Sequence, residues 1–141
     1  MLVGVLNGVN LNLLERRDPG VYGRLSLAQL EDQIRAWGQE LGCDVLCRQT
    51  NSEGEYVGWC QELGETADAL VVNPGAWSHY SYAIHDALEL ARGPVVEVHL
   101  SDIANREEWR RHSVVADLAV HRVLGKGPEG YREALEFLTR G

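Results

Sequence analysis

LNGVNLNLLERRDPGVYG, residues 6–23, decides how this chain is organised. An apolar strand, Leu2–Leu6, runs into it. Ser26 then opens a helix that the apolar spacing carries to about Leu41, with Leu27, Leu30, Ile34 and Leu41 on one face and Gln29 completing a capping box. The module is therefore strand, loop, helix. The loop is unusual, because strand-to-helix links in compact α/β domains take about 2–6 residues. This one carries three asparagines (Asn7, Asn10, Asn12), adjacent Arg16 and Arg17, and Tyr22. Long polar loops after a strand are binding loops, lids or disorder. A phenol five residues from a guanidinium able to lower its pKa points to acid–base chemistry.

The same alternation continues outward. Residues 43–48 read as a second strand, 54–65 as a helix weakened by Gly58 and Gly64, and Ala69–Val72 as a third strand. A helix over about 79–91, a strand over Val95–Leu100, a polar helix over about 103–112, a strand over Val120–Leu124 and a helix over 128–139 follow. Five β/α units predict an α/β fold with a parallel sheet covered on both faces, one domain spanning 1–141. No linker, repeat or low-complexity segment interrupts it.

Composition excludes several classes of function. A net charge of −8 argues against nucleic acid and anionic membranes as partners. No apolar run approaches the roughly 18 residues of a membrane span. The N-terminus has no basic segment before its apolar run, so the expectation is a cytoplasmic protein without a signal peptide. Three cysteines, at 43, 47 and 60, lack a CxxC and read as plain thiols, the first two in a strand and the third in a helix. No metal-ligand spacing stands out among the five histidines. Twelve of the thirteen basic side chains are arginine, clustered at 16/17 and 106/110/111. Such clusters suit a small anion, since a guanidinium grips a carboxylate bidentately.

In open α/β sheets ligands bind beyond the carboxyl ends of the strands, and the polar residues gather there. In VVEVHLSD, residues 95–102, Glu97, His99 and Ser101 alternate onto one face of a strand that should be almost wholly apolar. They read either as a satisfied polar cluster or as a histidine tuned by a carboxylate for proton transfer. In VVNPGAWSHYS, residues 71–81, Asn73–Pro74–Gly75 is a turn, Ser78 a candidate helix cap, and His79 sits at the helix start with Asp86 two turns along the same face. In NREEWRRHS, residues 105–113, Arg106 and Arg110 share a helix face, as do Glu107 and Arg111, which also describes a solvated charged helix. GKGPEG, residues 125–130, matches G-x-G-x-x-G formally but reads equally as helix-start punctuation.

Together with RQTNSEGE (48–55), REEWRRHS (106–113) and GPEGY (127–131), these segments, in order and at matching spacing, resemble the type II 3-dehydroquinate dehydratases over most of the chain. The resemblance implies a flavodoxin-like three-layer sandwich with a five-stranded parallel sheet. It implies a homo-oligomer, a dodecamer arranged as a tetramer of trimers, that dehydrates 3-dehydroquinate to 3-dehydroshikimate without cofactor or metal. Tyr22 matches the general base, Arg17 the lid arginine that stabilises its phenolate, and Arg106 a second arginine near it. Asn10 matches the asparagine that holds a water against the enolate. His99 matches the general acid, with Glu97 as its partner. Asn73, His79, Arg110 and the backbone of Leu100 with Ser101 match the substrate-binding set, and Asp86 an acid that reaches a neighbouring subunit's site. The chain departs from the family at Val9 (usually Pro), Glu15 (usually Gly), His85 (commonly Arg) and Asp102 (commonly Asn), positions that bear on rate and affinity rather than reaction type. The rival readings are a flavodoxin-like small-molecule-binding relative without dehydratase activity and a flavin or nucleotide module.

Overall fold

In the computed structural model, which describes residues 1–16 and 24–140, five parallel strands stand in the order β2-β1-β3-β4-β5. They are β1 (Leu2–Asn7), β2 (Asp44–Gln49), β3 (Ala69–Asn73), β4 (Val95–His99) and β5 (His121–Leu124). Every residue of β3 and β4 is buried, as expected of central strands covered on both faces. Alternation then sorts the side chains. Val3, Val5, Val71, Val96 and Val98 point to one face, and Leu6, Leu70, Val72 and Val95 to the other.

The first face is covered by α1 (Leu27–Glu40) and α5 (Glu129–Thr139), through Leu30, Ile34 and Trp37 of the former and Tyr131, Ala134 and Leu135 of the latter. The capping box that starts α1 is formed as the sequence predicts: the Gln29 amide donates to Ser26 Oγ at 3.2 Å and Ser26 N–H to Gln29 Oε1 at 2.9 Å. The second face is covered by α2 (Glu53–Thr66) and α3 (Tyr82–Glu89), through Tyr56, Cys60, Leu63, Ile84 and Leu88. The chain thus crosses to one face after β1 and to the other after β3. These two neighbouring strands send their connections in opposite directions, and a crevice opens above their carboxyl ends in sheets of this kind.

Three local expectations are corrected. The helix expected over 79–91 is split: Gly75–His79 is a 3-10 turn and α3 begins only at Tyr82. Its cap is Ser81, whose Oγ accepts from the Ile84 amide at 3.2 Å, whereas Ser78 Oγ donates to the Gly75 carbonyl at 2.8 Å. The helix expected over 103–112 is a 3-10 turn, Ile103–Asn105, and one short turn, α4 (Glu108–Arg111). Cys43 precedes β2 instead of lying within it, and all three cysteines are free. Burial pushes the Cys47 and Cys60 thiols up to about 12, so both are inert near neutrality. Among the described residues no helix is long and apolar enough to cross a membrane.

Candidate active site

The segments that leave β1, β3 and β4 meet in one cleft of about 180 Å³, suited to a small polar molecule. Two close approaches hold its floor. A side chain at Gly8 would meet the Pro74 carbonyl oxygen at 2.4 Å, and one at Gly75 (φ +66°) would meet that of Val9 at 2.8 Å. Only glycine at both positions lets the two loops touch. The Gly8 amide donates to the Asn73 carbonyl at 2.8 Å, closing the junction.

Eight of the site residues expected from the sequence line this cleft: Asn10, Asn73, His79 and His99 among them, then Leu100, Ser101, Arg106 and Arg110. Asn10 is the one non-glycine residue with positive φ (+70°) among those described, a conformation asparagine tolerates better than most. Its amide donates to Asn51 Oδ1 at 2.9 Å, and Gln49 Nε2 donates to that same oxygen and to the Gly8 carbonyl, each at 3.1 Å. The end of β2 therefore shapes the loop after β1. Val9, at the first departure from the family pattern, lines the cleft as well.

Glu97 and His99 do share a face of β4, and both are buried. His99 Nε2 lies 2.6 Å from Glu97 Oε2. The same oxygen accepts from Ser113 Oγ at 2.5 Å, and Oε1 from Arg122 Nε at 2.7 Å. Burial alone would raise this carboxyl, but the bonds from His99, Ser113 and Arg122 outweigh it and bring its pKa down to about 2. Glu97 is thus a fixed anion behind His99. Strand β4 ends at His99, yet Ser101 still reaches the cleft, where its hydroxyl accepts from Arg106 Nη1 at 3.3 Å.

Arg106 and Arg110 meet at the cleft without sharing a helix, because the backbone between them turns from the 3-10 segment into α4. Arg110 stacks over the Trp109 ring at 4.2 Å. Its Nε is 2.9 Å from Glu107 Oε2, an ion pair without hydrogen-bond alignment. Glu107 thus pairs with Arg110, not with Arg111 as the helical spacing suggests. Trp109 also meets His79 edge-on at 5.4 Å. It is 55% exposed and braces two site residues from outside the core. His79 closes the 3-10 turn instead of starting a helix, and its Nδ1 is 2.7 Å from the His112 carbonyl. A carbonyl only accepts, so Nδ1 carries the proton and Nε2 is the acceptor nitrogen of the neutral ring. Burial pushes the His79 pKa down and favours that neutral form.

Asn73 is fixed from behind. Its Nδ2 donates to the Tyr131 hydroxyl at 3.0 Å, its Oδ1 accepts from the Gly75 amide at 3.2 Å, and the Tyr131 hydroxyl donates onward to Asn7 Oδ1 at 2.6 Å. Tyr131, Ser113 and Arg122 escape a sequence reading. They act across 58, 16 and 25 residues on partners that only the fold brings close. The closing GPEGY segment is the one sequence signal near Tyr131.

Asp86 is not at this cleft. It lies exposed on α3, not on one helix with His79, and its Oδ1 is 3.1 Å from His85 Nδ1. His85 Nε2 also reaches Asp117 at 3.2 Å, and these bonds to Asp86 and Asp117 raise the His85 pKa. His85, Asp86 and Glu89 bring donor atoms within 4.8 Å of one another, but on the surface and away from the cleft lining. Asp102, the added charge beside Ser101, turns its carboxylate into the following turn, accepting from Ala104 N at 3.1 Å and Asn105 Nδ2 at 2.6 Å. The GKGPEG turn is helix-start punctuation: Gly125 and Gly127 donate to the His99 and Leu100 carbonyls, and Pro128 precedes α5. Arg17 and Tyr22 lie outside the described residues.

The model of the family "Dehydroquinase class II" matches residues 1–139. A 3-dehydroquinate dehydratase of Pelobacter propionicus is 50% identical, with 97% of this chain and 95% of the relative covered. One from Thermus thermophilus is 51% identical, covering 98% and 93%. The crystal structure of type II dehydroquinase from Propionibacterium acnes superposes with a TM-score of 0.95 at 44% identity, covering 99% and 97%. That of the type II dehydroquinase from Butyrivibrio crossotus gives 0.93 at 37%, covering 98% and 97%.

Proposed function

The chain belongs to the class II dehydroquinase family, and from that premise we propose that it eliminates water in trans from 3-dehydroquinate, giving 3-dehydroshikimate through an enolate. The observation that carries the proposal is His99, which faces the cleft while its Nε2 is held on the buried Glu97 carboxylate. That leaves Nδ1 as the nitrogen able to hand a proton to a departing hydroxyl.

The other half of the reaction falls to Tyr22. As the phenolate it would take the proton beside the ketone; the electrons pass into the enolate, the carbon–oxygen bond breaks, and the hydroxyl leaves as water with the proton from His99. A free tyrosine has a pKa of about 10, and bringing it to about 8 needs roughly 2.7 kcal/mol of differential stabilisation. Arg17 and Arg106 are the guanidinium groups assigned to that task. Asn10 would hold a water against the developing oxyanion. Arg110, Asn73, the neutral His79 and the Leu100–Ser101 turn would bind the substrate's carboxylate and hydroxyls. None of these steps calls on a metal or cofactor.

We further read the working enzyme as one domain, 1–141, assembled as a dodecamer of four trimers in which Asp86 reaches a neighbouring site. Its exposed position on α3 is compatible with that role. The deciding experiment follows enone absorbance from 3-dehydroquinate near neutral pH. Turnover abolished in Tyr22→Phe supports the proposal. A folded wild-type protein that binds 3-dehydroquinate without forming enone would replace it with the reading of a binding relative.

A further inference from the structure

The Glu97 carboxylate has no exposure to solvent and is met by donors from three separate parts of the chain. His99 comes from its own strand, Ser113 from the segment after α4, and Arg122 from the edge strand β5. The β4–β5 register sets Arg122 directly beside Glu97. Its Nε then reaches Oε1 at 2.7 Å, while the His99 bond is made to the other carboxylate oxygen. Arg122 is itself one-third exposed and is not part of the cleft lining. Among the described residues it reaches the cleft only through Glu97.

We propose that Arg122 is a positioning residue for His99: through Glu97 it fixes the plane of the carboxylate and draws off part of its charge, making the imidazolium a readier proton donor. A carboxylate shared with a second cation stabilises the first one less. The directional Nε bond also keeps Oε2 turned toward the histidine, so the acid's tautomer is set from the edge of the sheet. Among the described residues, Arg106 and Arg110 are the other charged groups that line the cleft with His99, beside the neutral His79. From β3 comes the neutral Asn73. Glu97 is thus the anion against His99, and Arg122 is the cation that shares it.

This inference leans on the dehydratase reading for its kinetic arm, so the test carries a second arm without turnover. His99 is titrated by the pH dependence of its carbethoxylation, read by peptide mass spectrometry, in wild type, Arg122→Met, Arg122→Gln and Arg122→Lys, with thermal unfolding followed for each. The titration should move up by about 0.5–1 pH unit in the Met and Gln variants and stay near wild type in Lys. The His99-dependent limb of kcat against pH should move with it. An unshifted or downward titration in the folded Met or Gln variant overturns the inference, as does failure of both to fold, which would leave Arg122 a structural role only. Absence of enone from the wild type would sink the dehydratase reading while the carbethoxylation arm still decides this one.

Discussion

The Tyr131 hydroxyl, on the last helix, accepts a 3.0 Å hydrogen bond from the Asn73 amide at the end of the central strand β3. It orients a cleft residue from the helix layer behind it. Because Asn73 Oδ1 is engaged by the Gly75 amide, the orientation of this amide group is determined from both ends.

Tyr131→Phe keeps the ring and removes the bridge. It strands Asn73 Nδ2 and Asn7 Oδ1 in the interior, where an unpaired polar group costs about 1–3 kcal/mol. The expected outcome is a loss of that size in denaturant unfolding. KM for 3-dehydroquinate should rise several-fold with kcat within about twofold, since substrate binding rather than proton transfer is disturbed. An unchanged KM in a destabilised variant would restrict Tyr131 to packing.

Removing His99, the proposed acid, has a different signature. His99→Ala should cut kcat by roughly 10²–10⁴, the usual range for general acid–base groups, with the circular dichroism of the wild type. Collapse of that spectrum would favour a structural histidine. Tyr22→Phe should leave less than about a tenth of the wild-type rate, a barrier increase above about 1.4 kcal/mol. A variant that keeps more would remove Tyr22 from the mechanism.

The β/α alternation is legible in the sequence because period-two and helical apolar patterns are local, and Ser26 with Gln29 announces the first helix in four residues. The helices after β3 and β4 depart from expectation because polar residues at helical spacing, such as Arg106 and Arg110, also occur where a chain turns around a site. Ser78 and Ser81 are equally good caps on paper. Only the 3-10 turn through Gly75–His79 decides between them. The cleft residues are visible as unexpected polarity at strand ends. Their supports are not, because Arg122, Ser113 and Trp109 act through contacts made after the strands are paired, and Trp109 shows an exposed surface where a core position is the ordinary expectation for tryptophan.

Acid should weaken the fold through Glu97. Its folded pKa, about 2, lies below the ordinary 4.5, so the unfolded chain takes up the proton first as pH falls. The stabilisation is complete above about 4.5 and is lost on the way to 2. Urea midpoints measured from pH 5 down to 3 should fall steeply in the wild type and more gently in Glu97→Gln. Parallel slopes would mean that another carboxylate governs acid unfolding.

Asp86→Ala should lower activity and loosen the assembly if Asp86 serves a neighbouring site. Light scattering that finds a fully active monomer at assay concentration would return Asp86 to a surface role beside His85.

The enolate route needs no Schiff base and no metal. Lys126, the only lysine, is paired with Glu133 in the turn before α5. Activity should therefore survive chelator, and borohydride with substrate should trap no adduct. Inactivation by that treatment would overturn the route.

Strand β5 has four residues and lies at the border of the sheet, with a neighbour on one side only. Borders fray first, because their hydrogen bonds open at lower free energy than those of central strands. Each time this border opens, Glu97 loses its guanidinium partner and becomes a buried anion with one fewer counter-charge. On the proposed mechanism His99, the proton donor, would then be mis-set while the other four strands are still intact. Heat should accordingly silence this protein some degrees before it melts, with amide exchange in residues 121–124 tracking the lost rate.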